Sequence, residues 1–130
     1  HTSTVDVRFA ELDPYGHVNH AVYITYFEVA RTEALAACEI PIHLMAERGV
    51  QIVVTGLEVR YRRAAVAGDR LTVETSLSEL RRASGTWRQR ILRDGEELVT
   101  ALVTAGVTDR DGRPTRPPDW LFPALQPLLD

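Results

Sequence analysis

A single cysteine, Cys38, stands among the 130 residues, so no disulfide can form within the chain and a cytoplasmic location is the expectation. The same scarcity excludes a cysteine-based zinc site. The four histidines, His1, His17, His20 and His43, fall at no metal-ligand spacing, and no metal is expected. No apolar run approaches the roughly 18 residues that a membrane span needs, and no secretory signal pattern opens the chain. Strong charge of one sign is missing too: a formal net charge of −3 gives no electrostatic reason to expect nucleic acid or an acidic membrane as partner. There is no internal repeat and no low-complexity segment. What remains is an apolar fraction of 45% in a chain the length of one domain, residues 1–130. The chain opens without Met, which suggests a trimmed or tagged start, so His1 to Thr4 carry little weight in this reading.

The order of elements follows from hydrophobic period and turn residues. Val5, Val7 and Phe9 alternate with Asp6, Arg8 and Ala10, which predicts a strand. From His20 to Ile40 there is neither Pro nor Gly, which predicts a long helix. Beyond it, Leu57, Val59 and Tyr61 alternate with charged residues in a strand predicted over 50–63. Gly68-Asp69 marks a turn, and Leu71, Val73, Thr75 and Leu77 carry the next strand. Ser84-Gly85 reads as a hairpin connection, Trp87, Gln89 and Ile91 as a strand, and Asp94-Gly95 as a second hairpin turn. The run from Leu98 to Thr108 reads as a central strand buried on both faces, and Trp120 to Leu129 as a short helix or an apolar tail.

One strand, one helix and then successive hairpins predict an α+β fold, an antiparallel sheet of about five strands covered by the helix. Val22, Ile24, Phe27, Val29, Ala30, Ala34, Leu35 and Cys38 make the helix apolar over more than half its circumference, so the sheet is expected to curl round it. Long strands leave exposed edges, and pairing them across a two-fold axis is the usual remedy; a homodimer is expected, with a dimer of dimers left open.

The segment from Asp13 to Tyr23, reading Asp-Pro-Tyr-Gly-His-Val-Asn-His-Ala-Val-Tyr, carries the chemistry. It sets a carboxylate, imidazoles and an amide in a turn between strand and helix. Asp13-x-x-Gly16-His17-Val18-Asn19-x-x-x-Tyr23, with Glu28-x-x-Arg31 further along the helix, resembles the hot-dog-fold acyl-CoA thioesterases of the 4-hydroxybenzoyl-CoA thioesterase type. The resemblance extends over nearly the whole chain. Two departures stand out: Ala64 follows Tyr61-Arg62-Arg63 where the family continues with Pro, and His20 stands where Asn or Tyr is commoner.

The resemblance implies a hot-dog fold, one helix wrapped by the curled sheet, and hydrolysis of an acyl-CoA or acyl-carrier-protein thioester to free acid and thiol. No cofactor is implied beyond coenzyme A as part of the substrate. Asp13 would be the catalytic carboxylate, attacking the thioester or drawing a proton from water; both routes stay open. The polarising donor would be the backbone N–H of His20, among the unpaired amides that open the helix. Asn19 is a plausible N-cap, accepting from Ala21 or Val22.

Each residue also has a plainer reading. An Asp before Pro commonly opens a turn. His17 can hold the turn rather than act as a base, Gly16 serves backbone geometry, and Tyr23 is a pocket wall or a core residue. Glu28 and Arg31 have the spacing of a surface ion pair worth about 0.2–0.5 kcal/mol, with Glu28 a minor candidate acid. Arg81, Arg82 and Ser84 resemble the family segment that meets the nucleotide end of coenzyme A, whose phosphates suit Arg. Arg60, Arg62 and Arg63 read as a solvated strand face. Two alternatives share this fold: a non-catalytic acyl-CoA-binding regulator and a hydratase using Asp13 with His17 or His20. The acyl group is not legible.

Overall fold

The computed structural model describes residues 1–130. Five strands, β1 (Thr2–Asp6), β2 (Gln51–Tyr61), β3 (Arg70–Leu80), β4 (Ser84–Arg93) and β5 (Glu96–Thr108), form one sheet in the order β1-β3-β4-β5-β2. Every neighbouring pair is antiparallel. The long helix α1 (His20–Ala37) lies on one face, with α2 (Ile42–Glu47) after it and α3 (Leu121–Leu125) near the C-terminus. No helix is long and apolar enough to cross a membrane.

Alternation along the strands sets the core. Leu71, Val73 and Leu77 of β3, Trp87 and Ile91 of β4, and Val99, Ala101, Val103, Ala105 and Val107 of β5 are buried on the helix side. Against them α1 presents Tyr23, Phe27, Ala30 and Ala34, spaced three and four apart. Phe27 and Ala34 are fully buried, and the small side chain of Ala34 permits a close approach of sheet to helix.

Several expectations need correction. The apolar faces of α1 are narrower than expected, because Val29 is exposed. The first strand occupies Thr2–Asp6, so His1 to Thr4 belong to the structure: Thr2 to Asp6 pair with β3, and the His1 amino group donates to the Thr75 carbonyl at 2.8 Å. Phe9 falls in a 3-10 turn and is 86% exposed. Through its middle β5 is fully buried on one face only, since Leu102 on the other is exposed and Thr100 and Thr104 are half-buried.

Ser84-Gly85 is not a connection but the start of β4; residues 81–83 make the turn. Gly85 is needed for space, since a Cβ there would stand 3.1 Å from Leu80 Cδ2 and 3.2 Å from the Glu79 carbonyl oxygen. The Asp94-Gly95 turn is present, with both residues left-handed (φ 50° and 82°). The end of the chain is helical rather than a loose tail, and Leu121, Leu125 and Leu128 are buried under the sheet.

Candidate active site

The turn between the 3-10 segment and α1 is closed by its own backbone. The Asp13 N–H donates to the His17 carbonyl at 2.6 Å, and Gly16 N–H to the Asp13 carbonyl at 3.0 Å. Gly16 sits at φ +79°, the left-handed region where a glycine costs nothing. One carboxylate oxygen of Asp13, Oδ1, accepts from the amides of Tyr15 (2.9 Å) and His17 (3.1 Å). Oδ2 has no partner in the chain. The turn role and a free oxygen therefore coexist in one side chain.

Asn19 caps the helix as expected, its side-chain oxygen accepting from Ala21 N–H at 2.9 Å, and Val22 N–H donates to the Asn19 carbonyl. The His20 N–H donates to no group of the chain, so one amide at the helix start stays available. The imidazoles of His17 and His20 are exposed and make no hydrogen bond; His17 acts in the turn through its backbone.

A second segment, residues 62–69, holds this turn from outside. Val18 N–H donates to the Ala65 carbonyl at 2.9 Å, and Ala65 N–H donates to the Tyr23 hydroxyl at 2.9 Å. Tyr23 is thus a buried core residue. Burial raises the pKa of its phenol, and the nearby carboxylate of Asp13 adds to the rise. Arg93 donates to Asp69 at 2.7 Å and to the carbonyl of Ala64, the residue standing where the family has Pro. Burial alone would raise the Asp69 pKa, but hydrogen bonds from Val66 N–H and Arg93 hold it below the usual range.

Two contributors gave little sign in the sequence. Glu11 accepts from Arg8 N–H, from the Arg8 guanidinium and from the Tyr26 hydroxyl (2.8 Å). Although burial opposes it, these bonds keep the carboxyl below its ordinary pKa. The spacing Arg8-x-x-Glu11 was the only available signal. Tyr61, at the end of β2, donates to the His20 carbonyl at 2.8 Å and packs edge-on against Tyr23. That contact spans 41 positions and no local pattern announces it.

Other candidates lie elsewhere. Arg81, Arg82 and Ser84 sit at the opposite end of the sheet from Asp13, a strand length of about 35 Å away within one protomer. Arg81 is bonded to Glu79 at 2.8 Å, while Ser84 faces an apolar cavity beneath α3. Glu28 and Arg31 do not pair, contrary to expectation. Arg31 instead turns inward and donates to Gln89 Oε1 at 3.0 Å, because Gln89 is buried and its oxygen has no other donor. Arg60, Arg62 and Arg63 pair with Glu58, Glu97 and Glu96 on the exposed face, as a solvated strand face does.

The family model described as the thioesterase-like superfamily matches residues 7–125. A long-chain acyl-CoA thioesterase, FadM, of Escherichia coli K12 is 34% identical over 102 residues, covering 77% of this chain and 76% of that protein. An acyl-CoA thioesterase, YbgC, of Haemophilus influenzae is 36% identical over 106 residues, covering 81% and 78%. Among solved structures, a hypothetical protein of Thermus thermophilus superposes with a TM-score of 0.93 at 32% identity over 98% of both chains. A thioesterase of the same species, solved with coenzyme A and zinc, superposes with a TM-score of 0.84 at 31% identity, covering 98% of this chain and 92% of that one. The architecture is the hot-dog fold, one helix wrapped by a curled five-stranded antiparallel sheet.

Proposed function

Because this chain belongs to the thioesterase-like superfamily, we propose that it hydrolyses an acyl-CoA thioester with Asp13 as its catalytic carboxylate and the His20 amide as its oxyanion donor. The observation that carries the reading is the pairing of two unoccupied groups in one turn. Asp13 keeps Oδ2 free while two amides fix Oδ1, and the His20 N–H at the positive end of α1 has no partner.

The thioester oxygen rests on the His20 amide, which stabilises the negative charge that develops there. Asp13 Oδ2 attacks the carbonyl carbon, the C–S bond breaks, and the thiolate takes its proton from water. A second water then cleaves the mixed anhydride, returning the carboxylate and releasing the acid. A single turnover in isotopically labelled water tests the step: label entering Asp13 requires the anhydride, opened at the Asp13 carbonyl, whereas label found only in the acid means that water attacked the acyl carbon, either of the thioester or of the anhydride. Asn19 and Tyr23 position these groups, and the exposed imidazoles of His17 and His20 flank them.

A homodimer completes the proposal. β2 pairs only with β5, leaving its other edge free with Val53, Val54, Leu57 and Tyr61 exposed along it. Antiparallel pairing of two such edges about a two-fold brings the second copy's far end alongside this copy's Asp13. Arg82 and Ser84 of one protomer then reach the phosphates of coenzyme A bound at the other's turn. Thiol release from a panel of acyl-CoAs, with Asp13→Asn as control, tests the activity; binding without release would identify a regulator instead. Mixing inactive Asp13→Asn with Arg82→Ala tests the shared site, because hybrid dimers regain one intact site, and no regain of activity at low substrate would overturn it.

A further inference from the structure

The segment that holds the Asp13 turn has little stiffness of its own. Residues 62–69 include Ala64, Ala65 and Ala67 with Gly68 at φ +80°, and no proline fixes the backbone there. Its ends are anchored. The N–H groups of Arg62 and Arg63 both donate to the Leu98 carbonyl (2.8 and 3.1 Å), and Val7 N–H donates to the Asp69 carbonyl at 2.9 Å. Between those anchors the fully buried Ala65 makes both bonds to the candidate site, its carbonyl accepting from Val18 N–H and its own N–H donating to the Tyr23 hydroxyl. His17 and Val66 form an antiparallel bridge beside it. Whatever fixes Ala65 therefore fixes the backbone that leads from Asp13 into α1.

A side chain from another strand supplies that restraint. Arg93, the last residue of β4, donates from one nitrogen, Nη1, to the Ala64 carbonyl (3.3 Å) and to Asp69 Oδ2 (2.7 Å). The same Oδ2 accepts from Val66 N–H at 2.9 Å, and Asp69 N–H donates to the Val66 carbonyl at 3.2 Å. Both arms of the loop around Ala65 thus meet on one guanidinium. Its other nitrogen, Nη2, donates to Glu96 at 3.3 Å and steadies the fork. The side chains of Arg93 and Asp69 are 27% and 17% exposed, more enclosed than any other ion pair of the chain, so solvent weakens this pair least. Arg93 bonds neither Asp13 nor His20.

We propose that Arg93 is a positioning residue for the reaction: by joining Ala64 to Asp69 it fixes Ala65, and through the Val18 and Tyr23 bonds it sets the Asp13 carboxylate against the His20 amide. It touches no substrate. A displacement of about 1 Å between reacting groups can cost about 10²-fold in rate, so a restraint two bonds removed from the chemistry still governs turnover. The effect on rate rests on the hydrolase reading, whereas the effect on the mobility of the turn does not.

The test replaces Arg93 in the full chain and reads amide hydrogen exchange together with turnover. In Arg93→Met, which keeps an unbranched side chain and removes the donors, exchange at Val18 and Ala65 is expected to accelerate about tenfold more than at Val107, whose N–H donates to the Ala83 carbonyl (3.1 Å) at the far end of the sheet. kcat for thiol release is expected to fall about tenfold with KM within about twofold, the split that marks a misplaced catalytic group. Arg93→Lys, which keeps the charge and a donor, is expected to fall between the two. Should Arg93→Met not fold, Asp69→Asn, which keeps an oxygen for the Val66 amide and removes the charge that holds Arg93, is expected to show the same pattern at smaller size. Equal acceleration at all three amides would overturn the assignment, since Arg93 would then only stabilise the fold. Unchanged exchange at Val18 and Ala65, faster exchange with kcat unchanged, or Arg93→Lys no better than Arg93→Met would overturn it as well. Absence of thiol release from the parent chain would count against the hydrolase reading instead, and the exchange at Val18 and Ala65 would still decide whether Arg93 holds the turn.

Discussion

The two ends of the sheet are held by different forces. At the Asp13 end, order comes from directional bonds: Val18 to Ala65, Ala65 to the Tyr23 hydroxyl, Arg93 to Asp69, the Tyr26 hydroxyl to Glu11. At the Arg81 end, α3 and the turn after it bury Leu121, Leu125 and Leu128 against β3 and β4, with Asp130 tied to Leu77 and Arg88. Hydrogen bonds fix angles as well as distances, which a reacting carboxylate and an oxyanion donor need. Apolar packing tolerates adjustment. Chemistry and stability should therefore separate between the two ends on mutation.

Asp13→Asn is the strongest way to sharpen this contrast. An asparagine oxygen still accepts from the Tyr15 and His17 amides, so the turn persists while kcat for thiol release falls about 10²–10⁴-fold. Equal thermal stability alongside unimpaired turnover would move the chemistry to another residue. Leu128→Ala, at the far end, is expected to cost about 2–5 kcal/mol of unfolding free energy in urea titration while leaving kcat intact. A comparable loss of kcat would erase the distinction. Tyr23→Phe removes the acceptor of the buried Ala65 amide, costing about 1–3 kcal/mol, and should lower kcat as well because Ala65 holds the Val18 amide. Stability lost with kcat unchanged would show that residues 62–69 do not position the turn.

The smallest effect is on acid stability. Glu11 and Asp69 have folded pKa values below their unfolded ones. Their contribution is whole above the unfolded carboxyl values, about 4, and fades as pH falls through the lower folded values. Glu11→Gln should accordingly flatten the loss of Tm on acidification below about pH 4. An unchanged slope would mean that the Glu11 bonds do not hold the Asp13 end together.

What the sequence made legible was local. The start of α1 at His20 and its Asn19 cap, the backbone role of Gly16 and the alternation in β3 to β5 depend on residues a few positions apart. In β2, by contrast, the alternation of Leu57, Val59 and Tyr61 marks no buried face, since Leu57 and Tyr61 are exposed. The misreadings came from signals with two meanings. Gly85 looked like turn chemistry but serves close packing against Leu80, and Phe9 continued an alternation that the 3-10 turn interrupts. Glu28 and Arg31 satisfied a helical pairing rule, yet Arg31 gains more from the buried oxygen of Gln89, 58 positions away. Around the candidate site the turn at Asp13 was readable, whereas the ties from Tyr61, Ala65 and Arg93 depend on tertiary contacts.

Tyr61 ends β2, and its hydroxyl is bonded to the carbonyl of His20, whose amide is the proposed oxyanion donor. The strand therefore works as a tie-rod on the mouth of the long helix. A sideways slip by one position would turn Tyr61 to the opposite face and release that anchor. Loosening the border of the sheet would misalign the His20 amide, the proposed oxyanion donor, before any residue near Asp13 had changed.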